Sequence, residues 1–316
     1  MSSKIYVSSS PHFNLKCTIQ MIMGTVLFAL LPEVIMGIVL FRWAAIIRIL
    51  VSVASCVFFE FIFQKITKQK VVISNLSACV TGVMLALVCS PTVPVWTFVV
   101  GAAVAMIVAK GLFGGIGSNV FNPALTGRAF MFLSFPASMG ASWLTPKTIS
   151  QIDAISSATT LSAMKAGNFV MQDNTLWQYF IGNRAGCIGE TSALLILISF
   201  AFLALAHIID WRAPLTMVGT VALCSLISGE NVAMALMTGG LLFGATFMVT
   251  DYATAPITKK GRLIFGFGCG LITFLIRKFG GYPEGVMFSI LIMNSIAPFL
   301  NNLTARKYGY VKKEAK

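Results

Sequence analysis

The sequence predicts an all-α integral membrane protein of about ten transmembrane helices in two inverted five-helix repeats. Three observations predict it. Apolar residues make up 57% of the 316 residues and charged residues only 10%, where a soluble domain carries about 25% charged. The apolar residues fall in repeated blocks near the roughly 20-residue length that crosses a bilayer as a helix. A glycine motif also occurs twice, as "FGGIGSNVF" from Phe113 and "FGGYPEGVM" from Phe279, each ahead of a Val that opens the last span of its half. Five helices separate the copies, and an odd number turns the second copy over across the membrane, the plan of many transporters. Coincidence of two Gly-rich turns is the plain alternative.

In chain order the spans are expected near 18–40, 43–64, 74–90, 94–110, 119–135, 187–209, 214–228, 231–250, 262–276 and 284–302. The first block follows a polar "MSSKIYVSSSPHFNLK" with no A-x-A site, so no cleaved signal peptide is expected. This divides the chain into an N-terminal repeat (1–135), a loop (136–186) and a C-terminal repeat with its tail (187–316).

The net charge of +13 is read first as topology. With the N-terminus inside, fifteen of the 23 Lys and Arg fall in cytoplasmic segments and six outside, with Arg48 and Arg128 within spans. That excess follows the positive-inside rule. Both termini are then cytoplasmic and the long polar interval before Gly186 lies outside the cytoplasm. The lipid bilayer is the expected surrounding. A nucleic-acid partner is not expected, because its Lys and Arg would cluster on one soluble face. The seven cysteines form no C-x-x-C pair, which argues against an iron–sulfur cluster held by this chain alone, and two histidines are too few for a spaced haem pair. No metal site is expected.

Several polar residues interrupt the apolar blocks. "GSNVFNPALTGRAF" (Gly117 to Phe130) puts Asn119, Asn122 and Arg128 in an otherwise apolar span. Such groups cost free energy unless paired, and they often line a site. Asn offers both donor and acceptor, which suits a flat heterocycle. Hydrogen bonding between helices explains the same residues, and the residue types leave the two readings open. Asp251 stands either in an ion path, as a cap, or paired with Lys259 or Lys260. Glu284 fits the N-terminus of the last helix. Glu60 is an intramembrane carboxylate with Lys65 close enough in sequence to draw it toward the surface.

The hydroxyl-rich stretch "IDAISSATTLSAMK" (Ile152 to Lys165) lies on the outer loop. Ser156 is a plausible N-cap for a short helix from about Ser157 to Ala166. Thr159 would then lie in its first turn, where free backbone N–H groups favour a phosphate, with Ser157 and Ala158 leaving room for a bulky adduct. From its residues alone the stretch reads as a capped surface helix without chemistry, since no His lies near and no base is obvious.

"DAISSAT" (Asp153 to Thr159) resembles the flavinylation motif of the family that includes the D subunit of the Rnf complex and the B subunit of the sodium-pumping NADH:quinone reductase. That motif reads Asp, a small residue, any residue, Ser or Thr, a small residue, Ala, Thr. Ser157 and Ala154 stand where Gly is usual. The resemblance extends to "SPHF", "FGGIGSNVFNPALTGRAF", "DYATAPITKKG" and "FGGYPEGVMFSILIMN". It implies FMN bound through a phosphoester to Thr159, with Asp153, Ser156, Ser157 and Ala158 completing the motif. It also implies a non-covalent riboflavin at Asn119 and Asn122, and a fold like that of urea transporters. The implied role is a subunit, not catalytic alone, of an ion-translocating ferredoxin:NAD⁺ oxidoreductase in a prokaryotic cell membrane. It would relay electrons through FMN, coupled to Na⁺ or H⁺ transport. Its implied partners are the Rnf A, B, C, E and G subunits, above all the FMN-bearing G and the NAD-side C, and a flavin transferase during maturation. The short N-terminal segment favours the Rnf type over the quinone reductase type. A channel for a small neutral solute, suggested by the inverted repeat, and an inert scaffold are the rival readings.

Overall fold

The computed structural model describes residues 18–140, 143–144, 156–157, 160–165, 175–182, 186–282 and 284–305. Helix α1 (Ile19–Phe41) starts where the Thr18 hydroxyl accepts the Met21 N–H at 3.3 Å, a side-chain cap for one of the unpaired first-turn donors. Arg42, with φ 51°, is the single-residue joint to α2 (Trp43–Ile66). With α14 (Val286–Thr304) these are the three described helices long and apolar enough to cross a membrane. At 1.5 Å per residue, α1 reaches about 35 Å, enough for a hydrocarbon core of about 30 Å.

The other elements are mostly shorter. Helix α3 (Ser77–Leu87) packs on α2 through Gly82, where a Cβ would stand 2.6 Å from Val53 Cα. Ser52 Oγ donates to the Gly82 carbonyl there at 2.7 Å. Helix α4 (Val95–Ala103) runs on as a π-helix (Val104–Gly111), and α5 (Pro123–Ser134) crosses it at Gly127, against the Gly101 carbonyl. Then come α6 (Pro136–Gly140), β1 (Trp143–Leu144), β2 (Ser156–Ser157), α7 (Thr160–Lys165) and α8 (Thr175–Ile181). The two strands pair antiparallel, Trp143 opposite Ser157 and Leu144 opposite Ser156. The second half holds α9 (Ala193–Leu205), α10 (Arg212–Ile227), α11 (Val232–Met237), α12 (Leu241–Phe243) continuing as a π-helix (Gly244–Met248), and α13 (Lys259–Phe279) before α14. Its largest packing surfaces are α10 on α13 and α13 on α14.

One apolar core joins both halves, with Leu30, Leu85, Phe98, Leu125, Met131, Ile188, Phe243, Phe265 and Ile290 fully enclosed. Phe28, Leu50, Leu215 and Phe299 are more than half exposed on the outside, as expected of surfaces that face lipid or neighbouring subunits.

Four expected spans are not continuous spanning helices. The block at 74–90 contains an 11-residue helix, the block at 119–135 a 12-residue one and the block at 187–209 a 13-residue one. Each rises only about 17–20 Å, well short of the membrane core. The block at 231–250 breaks at Gly239, which has φ 67°. The physical reason is that apolar residues can line a broken chain inside the protein as well as a lipid-facing helix. Ser156 is also not a helix cap: it lies in β2, and α7 begins only at Thr160. Pairing to β1 takes up the backbone that the capping pattern would have used. Of the helix expected from Ser157 to Ala166, Thr160–Lys165 is described as helical.

Candidate functional site

Two polar regions hold most of the residues that interrupt the apolar blocks. The first is built around α7. Lys165 Nζ donates to the carbonyls of Gly280 and, at 2.9 Å, Tyr282, which pins the end of α7 to the turn between α13 and α14. Beside it lies a cavity of about 290 Å³ lined in part by Leu161, Met164, Lys165, Ser225, Arg277 and Lys278. Lys278 pairs with Glu230 at 2.8 Å. Arg277 donates to the carbonyls of Ala235 (2.7 Å) and Thr238 (3.1 Å), holding the break between α11 and α12. Ser225 Oγ and Arg277 Nε are buried polar atoms without a partner among the described residues. Cationic donors, unpaired polar atoms and an apolar wall from Val221 and Phe274 are chemistry that fits a phosphate with an aromatic ring beside it.

Next to this region the broken helix is tied by charge. Glu284 accepts the Gly240 N–H and lies 3.6 Å from Arg128 Nη2. Arg128 Nη2 is also 3.8 Å from Cys187 Sγ. Glu284 thus serves the start of α12 rather than that of α14, the helix it precedes in sequence. Arg128, the charge within α5, is met by a carboxylate from the second half of the chain.

The second region contains Asn119 and Asn122. Neither lies in a helix: both belong to the irregular segment before α5. The Asn122 side-chain oxygen accepts the Ala124 and Leu125 N–H groups at 3.1 and 3.3 Å, capping α5, whose first residue, Pro123, has no N–H to satisfy. Asn119 Nδ2 donates to the Phe121 carbonyl at 3.2 Å. They share with Lys110, Thr81 and Asp251 a cavity of only about 70 Å³. Ligand sites run to about 300 Å³ or more. The donor set suits a flavin, but the volume among the described residues does not hold one. Asp251 closes a local turn rather than capping a helix, accepting from the Ala253 N–H and the Thr254 hydroxyl, both at 3.2 Å, with no ion pair to Lys259 or Lys260 among the described residues.

Sequence reasoning missed one pair here. Lys110 Nζ donates to Glu60 Oε1 and to Ser77 Oγ, both at 2.6 Å, and both charged side chains are 5% exposed. Glu60 does not lean toward Lys65, which instead lies 5.6 Å over the Phe61 ring. Lys110 is not one of the cytoplasmic surface charges but is buried. A lone Lys at the end of an apolar run was the available signal, and only the tertiary structure pairs it. Glu33 is likewise buried in α1, with both carboxyl oxygens unpartnered among the described residues.

Of the motif residues, Ser156 and Ser157 form β2, shortly before α7. Asp153, Ala158 and Thr159 lie outside the described residues.

Residues 6–309 match the NQR2, RnfD, RnfE family. The chain belongs to this family. It is 41% identical over 315 residues, 98% of both chains, to the D subunit of the Na⁺-translocating ferredoxin:NAD⁺ oxidoreductase complex of Acetobacterium woodii. It is 35% identical over 312 residues, 94% of both, to the D subunit of the proton-translocating ferredoxin:NAD⁺ oxidoreductase complex of Clostridium ljungdahlii. It is 34% identical over 351 aligned positions, 97% of this chain and 99% of the relative, to the D subunit of the ion-translocating oxidoreductase complex of Escherichia coli. The family thus spans relatives named for Na⁺ and for protons, and its membrane character agrees with the apolar helices found here.

Proposed function

We propose that the chain is the D-type electron-relay subunit of an ion-translocating ferredoxin:NAD⁺ oxidoreductase, with FMN esterified through its phosphate to Thr159 outside the cytoplasm. The observation that carries this reading is "DAISSAT" in a chain that matches D-type relatives over nearly its whole length. Attached there, the flavin would supply one- and two-electron redox chemistry. The chain's own residues would hold it: Lys165, Lys278 and Arg277 offer positive charge to the phosphate, and Phe274 and Val221 an apolar wall. The positive-inside distribution supports cytoplasmic termini and an outer position for the loop. The paired Phe-Gly-Gly motifs, and the matching packing of α5 on the π-helix after α4 and of α14 on α13, support two inverted repeats. Electron transfer would be coupled to Na⁺ or H⁺ export with the A, B, C, E and G subunits as partners.

A riboflavin at Asn119 and Asn122 is the finer part of the same reading, and it requires more room than the described residues leave.

The test is the mass of the intact chain together with in-gel flavin fluorescence after denaturation. Wild type should carry one covalent FMN, and Thr159→Ala none. Fluorescence that survives Thr159→Ala places the attachment elsewhere. For riboflavin, acid extraction of the native protein should release free riboflavin that falls in Asn119→Ala with Asn122→Ala. Extraction that yields none from wild type removes that part alone.

A further inference from the structure

Helices α10 and α13 border another cavity at their other ends, about 390 Å³, near the starts of both helices. Its polar wall is a triad. Asp210 Oδ2 accepts from Arg212 Nη1 at 2.8 Å and from Arg262 Nη1 at 2.6 Å. Arg262 Nε donates to the Pro256 carbonyl at 2.9 Å, and the Arg212 guanidinium lies 4.9 Å over the Trp211 ring. One carboxylate against two guanidiniums leaves the wall net positive. Each guanidinium carries five N–H donors, and the bonds just named use one of those on Arg212 and two on Arg262. The cavity therefore presents spare donors and uncompensated charge to an anion.

Its surroundings decide which anion. Trp211 and Tyr252, both in the cavity wall, are about half exposed, at 51% and 50%, as aromatic side chains are at a bilayer–water boundary. Leu205 at the end of α9 and Leu215 in the first turn of α10 are 79% and 53% exposed. Leu205 follows the wall residue Ala204 and Leu215 lies one turn after Trp211 and Arg212, so exposed apolar surface of the kind that faces acyl chains adjoins the wall in sequence. A soluble anion would use the arginines only; a lipid uses both features. We propose that this cavity binds the phosphate headgroup of an anionic phospholipid, with Arg212 and Arg262 as its donors and Trp211 and Tyr252 at the boundary. Basic pockets between membrane helices take such headgroups, and guanidinium forks suit phosphate oxygens. The proposal rests on the chain being a membrane protein of this family, and not on the flavin at Thr159.

The test uses the full chain in mild detergent, exchanged with phosphatidylglycerol or phosphatidylcholine and weighed by native mass spectrometry. Wild type should retain phosphatidylglycerol through an exchange that removes phosphatidylcholine. Arg212→Gln with Arg262→Gln and Asp210→Asn, which keeps hydrogen bonding without charge, should lower that retention at least tenfold. If the triple variant does not fold, Ala255→Trp fills the cavity, leaves the triad in place and should lower retention similarly. Equal retention of the two lipids in wild type overturns the proposal, as does unchanged retention in whichever variant folds. Inorganic phosphate in excess should compete poorly. Displacement of the lipid by phosphate alone would assign the site to a free anion and overturn the lipid reading.

Discussion

Glu60→Gln isolates the buried pair with Lys110. The ions stand 2.6 Å apart at 5% exposure, with Ser77 Oγ as the other partner of the ammonium. Their Coulomb attraction at an effective dielectric constant of about 20 is about 6 kcal/mol. Desolvation of several kcal/mol per ion offsets most of it, so the pair as a whole adds little net stability. Removing one partner's charge is different, because the ammonium stays buried beside neutral acceptors only, the Ser77 hydroxyl and the introduced amide. That costs about 3–5 kcal/mol. Lys110→Met should cost a similar amount, since it strands the Glu60 carboxylate. The double replacement leaves no buried charge and should cost less than either single one. The assay is unfolding in mixed detergent micelles, followed by tryptophan fluorescence and helicity. If Glu60→Gln costs less than about 1 kcal/mol, or if the two single costs add in the double variant, the pairing argument is wrong.

Other expectations follow from particular contacts. Gly82→Ala must separate α3 from α2, because the new Cβ would lie 2.6 Å from Val53 Cα and 3.0 Å from the Ser52 carbonyl; a loss of about 1–3 kcal/mol is expected in the same assay. Gly24→Ala, with nothing within 4 Å, should instead be neutral or stabilising by up to about 1 kcal/mol; a cost equal to that of Gly82→Ala would refute the packing account. Asn122→Ala removes the cap of α5 and should cost about 1 kcal/mol, while the covalent flavin signal stays unchanged. Asp210 gives a pH dependence. Burial pushes its carboxyl up, but the Arg212 backbone N–H and the Arg262 and Arg212 guanidiniums outweigh this and hold it below its usual 3.8. A carboxyl lowered in the folded state contributes stability above its unfolded value and loses it as pH falls through the folded one. The stability difference between wild type and Asp210→Asn should therefore be steady near neutral pH and shrink below about pH 4; a difference that stays constant in acid would show that the carboxylate is not held by its arginines.

Much of the architecture is legible in the chain. The apolar blocks mark α1, α2, α10, α13 and α14 to within a few residues, and the low charge content marks the membrane class. "GSNVFNPALTGRAF" stands out in the sequence as a polar interruption, and it is one, but its asparagines cap and line a break rather than project from a span. The same hydropathy covers a spanning helix and a half-helix folded into the protein, so composition cannot separate them. Asp251 is allowed as a helix cap by its residue type, but its hydrogen bonds close the turn at 252–254, and Thr258 caps the helix that follows. Ser156 fails as a cap because a distant segment, Trp143–Leu144, competes for its backbone.

The class of the protein, its family and the motif around Thr159 can all be read from the linear chain, because they depend on residue identity and short-range order. Which distant charges meet is settled only by folding: Glu60 with Lys110, Arg128 with Glu284, and Asp210 with Arg262. Glu60 and Lys110 are 50 residues apart, and Arg128 and Glu284 come from opposite halves. In an apolar interior a charge is stable only beside its partner. That partner is set by how the helices cross, a property no local stretch of the chain contains.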